Sequence, residues 1–247
     1  MSTEMLPGEV FTAKDATDVA REAARRLGAA LRGAISARGR ASLALSGGNT
    51  PRPAYELLAV EPGVDWGKVF VFWIDERAVP ATHARSNYRL AKESLLERVA
   101  IPPDHVSRMA GDAPNLAEAA ADYARTLREK LEVADGVPIL DAAVLGVGDD
   151  GHTASLFPGE ASVLVRDRIV LDVAAAPEQQ REARLSVTAP VIERIRTAVV
   201  LATGAAKHGP LERVAAAEGD LRQTPSRVMR GVRGSLTWIL DPAAAGR

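Results

Sequence analysis

The sequence predicts an α/β fold built on a doubly wound, mostly parallel sheet with helices on both faces. Short, predominantly apolar runs such as "ASLALS" (41–46) and "LDAAVLGVG" (140–148) lack the alternation of a half-exposed strand. Segments of helical period stand between successive runs, as crossover connections require. With 47% of its 247 residues apolar, the chain has material for a sizeable core.

The first helix is read from Asp15 to Ile35, where Val19, Ala20, Ala23, Ala24, Leu27, Leu31 and Ile35 recur at helical spacing between charged residues. "ASLALS" is the first strand. "GGNTPRPAYELLA" then turns into a helix, with Thr50 as the expected N-cap and Pro51 at the first helical position. The unit repeats with the strand "KVFVFWID" (68–75), a polar loop and the helix "SNYRLAKESLLERV" (86–99). Another helix, "NLAEAAADYARTLREKLEV" (115–133), leads into the strand at 140–148. Beyond it the reading gives strands at 168–173, 183–189 and 197–203, a helix from Ala205 to Glu218, a last strand "SLTWILD" (235–241) and a frayed tail, "PAAAGR". No repeat, low-complexity tract or compositional shift marks a linker, so residues 1–247 are read as one domain.

Thirty-one basic and 32 acidic residues leave a formal charge of −1, so no overall field recruits nucleic acid or an anionic membrane. An anion must be bound locally. The absence of cysteine excludes disulfides, thiol nucleophiles and thiolate metal sites. The segment "MSTEMLPGEVFTAKDATDVA" is acidic where a signal peptide needs a basic and then an apolar stretch. No apolar run approaches the ~18 residues of a membrane span. A cytoplasmic protein is expected.

The stretch "GVGDDGHT" places Gly146, Gly148 and Gly151 at the spacing of a dinucleotide-binding loop, and Asp172 falls where that motif has its acidic residue. Asp149 and Asp150 count against it, because carboxylates repel a pyrophosphate there. Pro158 and Gly159 also follow too soon for a long helix to begin at the loop. What remains is a strand end that presents Asp150 and His152, the position where open α/β sheets bind ligands.

In a parallel sheet the same edge collects "SGGNT" (Ser46, Gly47, Gly48, Asn49, Thr50), "DER" (Asp75, Glu76, Arg77) and "TGAAK", which ends on Lys207. The first combines exposed N–H groups, hydroxyls and a helix start, the makings of a phosphate cradle. Lys207 sits in a helix's first turn, where the dipole disfavours a cation and a bound anion would offset the cost. Arg184 opens a strand, as either a salt-bridge partner or a ligand group. His83, His105 and His208 show no metal-ligand spacing, so no catalytic metal or cofactor is expected. Ser46, Asp75 and His152 follow the chain order of an α/β-hydrolase triad, but Ala44 stands where the nucleophile's turn needs glycine.

Taken in order, "LALSGGNTP", "WIDERAVP", "SNYRLAKESLL", "DAAVLGVGDDGHTASLFPG", "ARLSVTAPVI", "VVLATGAAKHGPL" and "GSLTWILD" resemble the 6-phosphogluconolactonases, within the group that includes glucosamine-6-phosphate isomerase/deaminase. The resemblance runs from about Val10 to Asp241 and implies that group's fold. It implies hydrolysis of 6-phospho-D-glucono-1,5-lactone, a small sugar-phosphate substrate, in the oxidative pentose phosphate pathway; no obligate protein partner is evident from the sequence. His152 would be the general base, oriented by Asp150; Arg77 an active-site cation, for the oxyanion or the phosphate; and Ser46 to Thr50, Arg184 and Lys207 the phosphate site. In the deaminase branch Asp75 would be the proton-abstracting base. That branch has "DEY" and "GHIAFNEP" where this chain has "DER" and "GHTASLFP". Asn49 departs from the usual serine of "SGGST". A non-catalytic sugar-phosphate sensor is the remaining alternative, though the basic DNA-binding segment expected beside one is not seen.

Overall fold

A computed structural model describes residues 6–247; residues 1–5, part of the segment read against a signal peptide, lie outside it. In chain order the elements are β1 (Glu9–Thr12), α1 (Ala16–Arg38), β2 (Ala41–Leu45), α2 (Pro51–Leu58), β3 (Val69–Trp73), β4 (Asp75–Arg77), α3 (Asn87–Ser94) and α4 (Leu116–Lys130). There follow β5 (Glu132–Ala134), β6 (Val137–Ile139), β7 (Ala142–Gly146), β8 (Val170–Val173), β9 (Arg184–Val187), α5 (Ala189–Glu193), β10 (Thr197–Ala202), α6 (His208–Ala215) and β11 (Ser235–Leu240).

The expected doubly wound sheet is present. Six strands run in the order β1-β11-β10-β7-β2-β3, and every pairing is parallel. All five residues of β2 are buried, as its predominantly apolar run requires, with Ser42 Oγ donating to Asp141 Oδ2 at 3.0 Å. Helix α1 starts on Asp15, whose side chain accepts from the N–H of Asp18, and ends on Gly39 in the left-handed region. Its buried stripe includes Val19, Ala23, Leu27 and Leu31, and α1 lies against α2 and over β2, β7, β10 and β11. Each fully buried leucine there contributes about 1.5–3 kcal/mol relative to exposure.

The strand order reverses between β2 and β7. From β2 the chain winds outward to β3, then returns to place β7 on the other side of β2. Only two residue pairs join β2 to β7, Leu43 with Ala142 and Ala44 with Ala143. The loops that follow these strands therefore leave in opposite directions and open a crevice at the carboxyl edge, where such sheets take their ligands.

Several expectations need correction. Residues 168–173 and 183–189 do not extend the parallel sheet: β8 and β9 pair antiparallel with each other, and β9 pairs antiparallel with β4. The segment Asp75–Arg77 is thus a strand in its own right, splayed from β3 after Ile74, and this is how it overhangs the crevice. The helix read over 86–99 ends at Ser94, and that read from Ala205 starts as a 3₁₀ turn, Ala205–Lys207, ahead of α6. Strand β1 and the hairpin of β5 with β6 carry too short and too mixed a pattern to be read. The tail is not frayed: Ala244 and Ala245 are buried, and Asp241 accepts from the N–H of Ala244 at 2.8 Å.

Candidate active site

The crevice is a cleft of about 600 Å³. It is lined by Ser46 to Thr50, Asp75, Arg77, Asp149, Asp150, His152, Arg184 and Lys207, so every residue singled out for a site role faces one space.

The loop after β7 supplies a carboxylate–imidazole pair. Asp150 Oδ1 lies 2.7 Å from His152 Nδ1 and also accepts from the His152 N–H at 2.9 Å. Burial opposes ionisation of Asp150, but the hydrogen bonds from His152 outweigh it and hold the carboxyl at about 2. An ionised Asp150 only accepts, so a neutral imidazole facing it carries its hydrogen on Nδ1 and keeps its lone pair on Nε2. Two of the three glycines make this possible. Gly151 has φ +98°, and a Cβ on Gly148 would lie 2.1 Å from His152 Nδ1. Gly146 has open space in that direction, so the third member of the apparent nucleotide motif is not required sterically.

The loop after β2 is a set of backbone N–H groups at the start of α2. Thr50 has helical dihedrals and no side-chain cap bond, contrary to its expected role; its Oγ1 lies 3.1 Å from Thr203 Oγ1 instead. That contact ties the "SGGNT" loop to the loop leading to Lys207 and leaves the N–H groups of the first turn for an anion. Ser46 is more constrained than its sequence context suggests. Its N–H donates to Tyr55 Oη (2.9 Å) and its hydroxyl to the Val144 carbonyl (2.6 Å), clasping β2 to β7. This removes Ser46 as an activated nucleophile, because its proton faces a carbonyl rather than a base.

Asp75 and Arg184 form a buried assembly. Asp75 Oδ1 accepts from Asn87 Nδ2 (3.0 Å) and Oδ2 from Ser155 Oγ (2.6 Å), while Arg184 Nη1 lies 3.6 Å from Oδ2. Burial lowers the pKa of Arg184 and the charge of Asp75 opposes that shift. Asp75 is therefore a positioning group, with both oxygens occupied. Arg77 donates from Nη1 to the Arg85 carbonyl at 2.7 Å, and the Nε atoms of Arg77 and Arg184 are both buried without a partner. Glu76 points away from the cleft: burial raises its pKa against the N–H groups it accepts, those of Asn87 and Tyr88 at the start of α3 and that of Arg77 beside it. Lys207 Nζ pairs with Asp149 Oδ1 at 2.5 Å. Among the described residues no three His, Asp or Glu side chains are grouped as a metal site, and no helix is long and apolar enough to cross a membrane.

Residues 14–238 match the family model for glucosamine-6-phosphate isomerases/6-phosphogluconolactonase. The chain belongs to this family. Among its relatives, 6-phosphogluconolactonase of Synechocystis sp. is 40% identical over 212 residues, covering 85% of this chain and 86% of the relative. The Homo sapiens protein of the same name is 37% identical, covering 85% and 81%. Among solved structures, 6-phosphogluconolactonase from Trypanosoma cruzi superposes with a TM-score of 0.86 at 28% identity, covering 100% of this chain and 98% of that one.

Membership of the family leaves open how this chain holds its site, and several supporting residues lay beyond the sequence reading. Phe157 packs against His152 in a tilted ring pair, centroids 4.8 Å apart and planes at 45°, and the Arg181 guanidinium sits 3.8 Å over the same phenyl ring. Arg213 Nη2 donates to the Asp150 carbonyl (3.2 Å), and the N–H of Ser226 to the Gly151 carbonyl (2.9 Å), fixing the loop after β7 from outside. Asp241 accepts the N–H of Gly204 at 3.0 Å from each oxygen and so holds the loop before Lys207. Phe157 belongs to the same glycine-rich stretch as His152; the others are distant from it in sequence and carry no local signal.

Proposed function

We propose that this chain hydrolyses 6-phospho-D-glucono-1,5-lactone to 6-phosphogluconate. The observation that carries the reading is the Asp150–His152 pair, 2.7 Å apart, in one cleft with an anion-binding helix start and Lys207. The names of the relatives at 37–40% identity support it. A lactone is an activated ester, so its opening needs a water, a base and charge stabilisation, and neither a cofactor nor a second polypeptide.

His152 Nε2 takes a proton from a water that attacks the lactone carbonyl carbon. The new C–O bond moves the carbonyl π electrons onto oxygen, where a guanidinium stabilises them. The intermediate collapses by breaking the bond from the carbonyl carbon to the ring oxygen, which receives the proton held by His152. The products are the free hydroxyl and the carboxylic acid, which ionises in water. Asp150 holds the reactive tautomer throughout and stabilises the imidazolium between the two transfers. The Gly47–Thr50 backbone and Lys207 grip the phosphate, whose binding energy positions the reacting carbon. Arg77 and Arg184 supply two guanidinium groups, one for the phosphate and one for the oxyanion. The expected cytoplasmic location belongs to the same proposal, supported by a chain without cysteine.

The deaminase alternative needs Asp75 as a free base, and its two oxygens are taken by Asn87 and Ser155. Incubation of the protein with freshly made 6-phosphogluconolactone and, separately, with glucosamine 6-phosphate tests the reading. Lactone opening faster than the spontaneous reaction, with no ammonia from the amino sugar, is the expected result. Ammonia release without lactone opening would overturn it.

A further inference from the structure

The cleft proposed to hold a phosphate dianion carries no net formal charge. Arg77, Arg184 and Lys207 face it with Asp75, Asp149 and Asp150. Two of these carboxylates have evident work: Asp75 anchors Arg184, and Asp150 orients His152. Asp149 does neither. Its side chain is 70% exposed, and its carboxylate lies 2.5 Å from Lys207 Nζ, which is only 22% exposed. It thus pairs with the cation that a phosphate would use. Asp149 is held there from both sides, since Gly148 and Gly151 frame its loop and the Gly204 turn places Lys207 opposite.

We infer that Asp149 is a resident competitor for the phosphate site, an affinity-setting residue that makes every phosphate-bearing ligand bind by displacing its carboxylate from Lys207. The inference rests on the reading of the cleft as a phosphate site. Substrate, transition state and product carry the same phosphate, so the displacement weakens all three alike. It raises KM and the product's inhibition constant by one factor and leaves the chemical step unaltered.

Calorimetric titration with inorganic phosphate at pH 8 and low salt reads this without turnover. Asp149→Asn keeps the shape of the side chain and removes its charge. It is expected to tighten inorganic phosphate about three- to tenfold, the scale of an exposed ion pair plus the repulsion it exerts on a nearby dianion. In a Lys207→Ala background the same substitution is expected to bring a clearly smaller gain, since only the repulsion between Asp149 and the dianion is then relieved. Steady-state kinetics of Asp149→Asn should show KM falling by the calorimetric factor with kcat within twofold. Phosphate binding no tighter than wild type, or a gain undiminished without Lys207, would overturn the inference. A protein that showed the calorimetric pattern yet left the lactone untouched would retain this inference and remove the lactonase reading.

Discussion

Gly148→Ala separates the fold from the chemistry. A Cβ there would lie 2.1 Å from His152 Nδ1, 2.3 Å from Cε1 and 2.7 Å from Asp150 Oδ1, well inside ordinary contact. The atoms in the way are side chains, not backbone, and both are solvent-accessible: His152 is 32% exposed and Asp150 50%. The imidazole must retreat by roughly 1 Å, a displacement that costs about 10²-fold in rate when it misplaces a reacting group. That corresponds to about 2.7 kcal/mol of barrier. Stability should barely move, since Gly148 is not among the positive-φ glycines and alanine reduces the freedom of the unfolded chain by about 0.4–1 kcal/mol. Initial-rate hydrolysis of fresh lactone, with spontaneous opening subtracted, is measured beside thermal unfolding. The expected pair of results is kcat down about 10²-fold and Tm within a few degrees. Wild-type kcat would refute the argument that Gly148 exists to admit the Asp150–His152 pair.

Three further outcomes follow from the same geometry. The Asp150 carboxyl is depressed from 3.8 to about 2, so its ionised form stabilises the fold above the unfolded value and that contribution is lost as pH falls through about 2. In denaturant titrations Asp150→Asn should show a small deficit at pH 6 that closes between pH 4 and 2. Asp75→Ala leaves Arg184 buried without its counter-ion and Asn87 and Ser155 without their acceptor, which should cost about 3 kcal/mol of unfolding free energy. Asp241→Ala frees the N–H of Gly204 and loosens the loop before Lys207; KM should rise about tenfold with kcat little changed.

The legible part of this protein was what local physics determines. The buried strands β2, β3, β7 and β10 are predominantly apolar runs, and the glycine-rich turns after β2 and β7 announce the carboxyl edge of the sheet. That was enough to bring His152, Asp150, the Ser46–Thr50 loop and Lys207 to one place. Orientation was not legible. Apolar runs at 168–173 and 183–189 look the same whether they pair parallel or antiparallel, and only the tertiary partner β4 decides it. Nor does spacing show which polar groups are already spent. Ser46 and Asp75 carry no sign in the sequence of their partners Val144, Asn87 and Ser155, up to 98 positions away, which engage them in the fold. Arg213, Ser226 and Asp241 shape the loops of the cleft through contacts that no short-range pattern encodes.

The central claim is that His152, primed by Asp150, activates water for lactone opening. Single-turnover hydrolysis of freshly made 6-phosphogluconolactone by wild type and His152→Ala, each corrected for spontaneous opening, tests it most directly. The account predicts that the wild type accelerates opening and that the variant loses about 10²- to 10⁴-fold of that rate, the usual contribution of a positioned base, while still binding inorganic phosphate. Wild-type turnover by His152→Ala would contradict it.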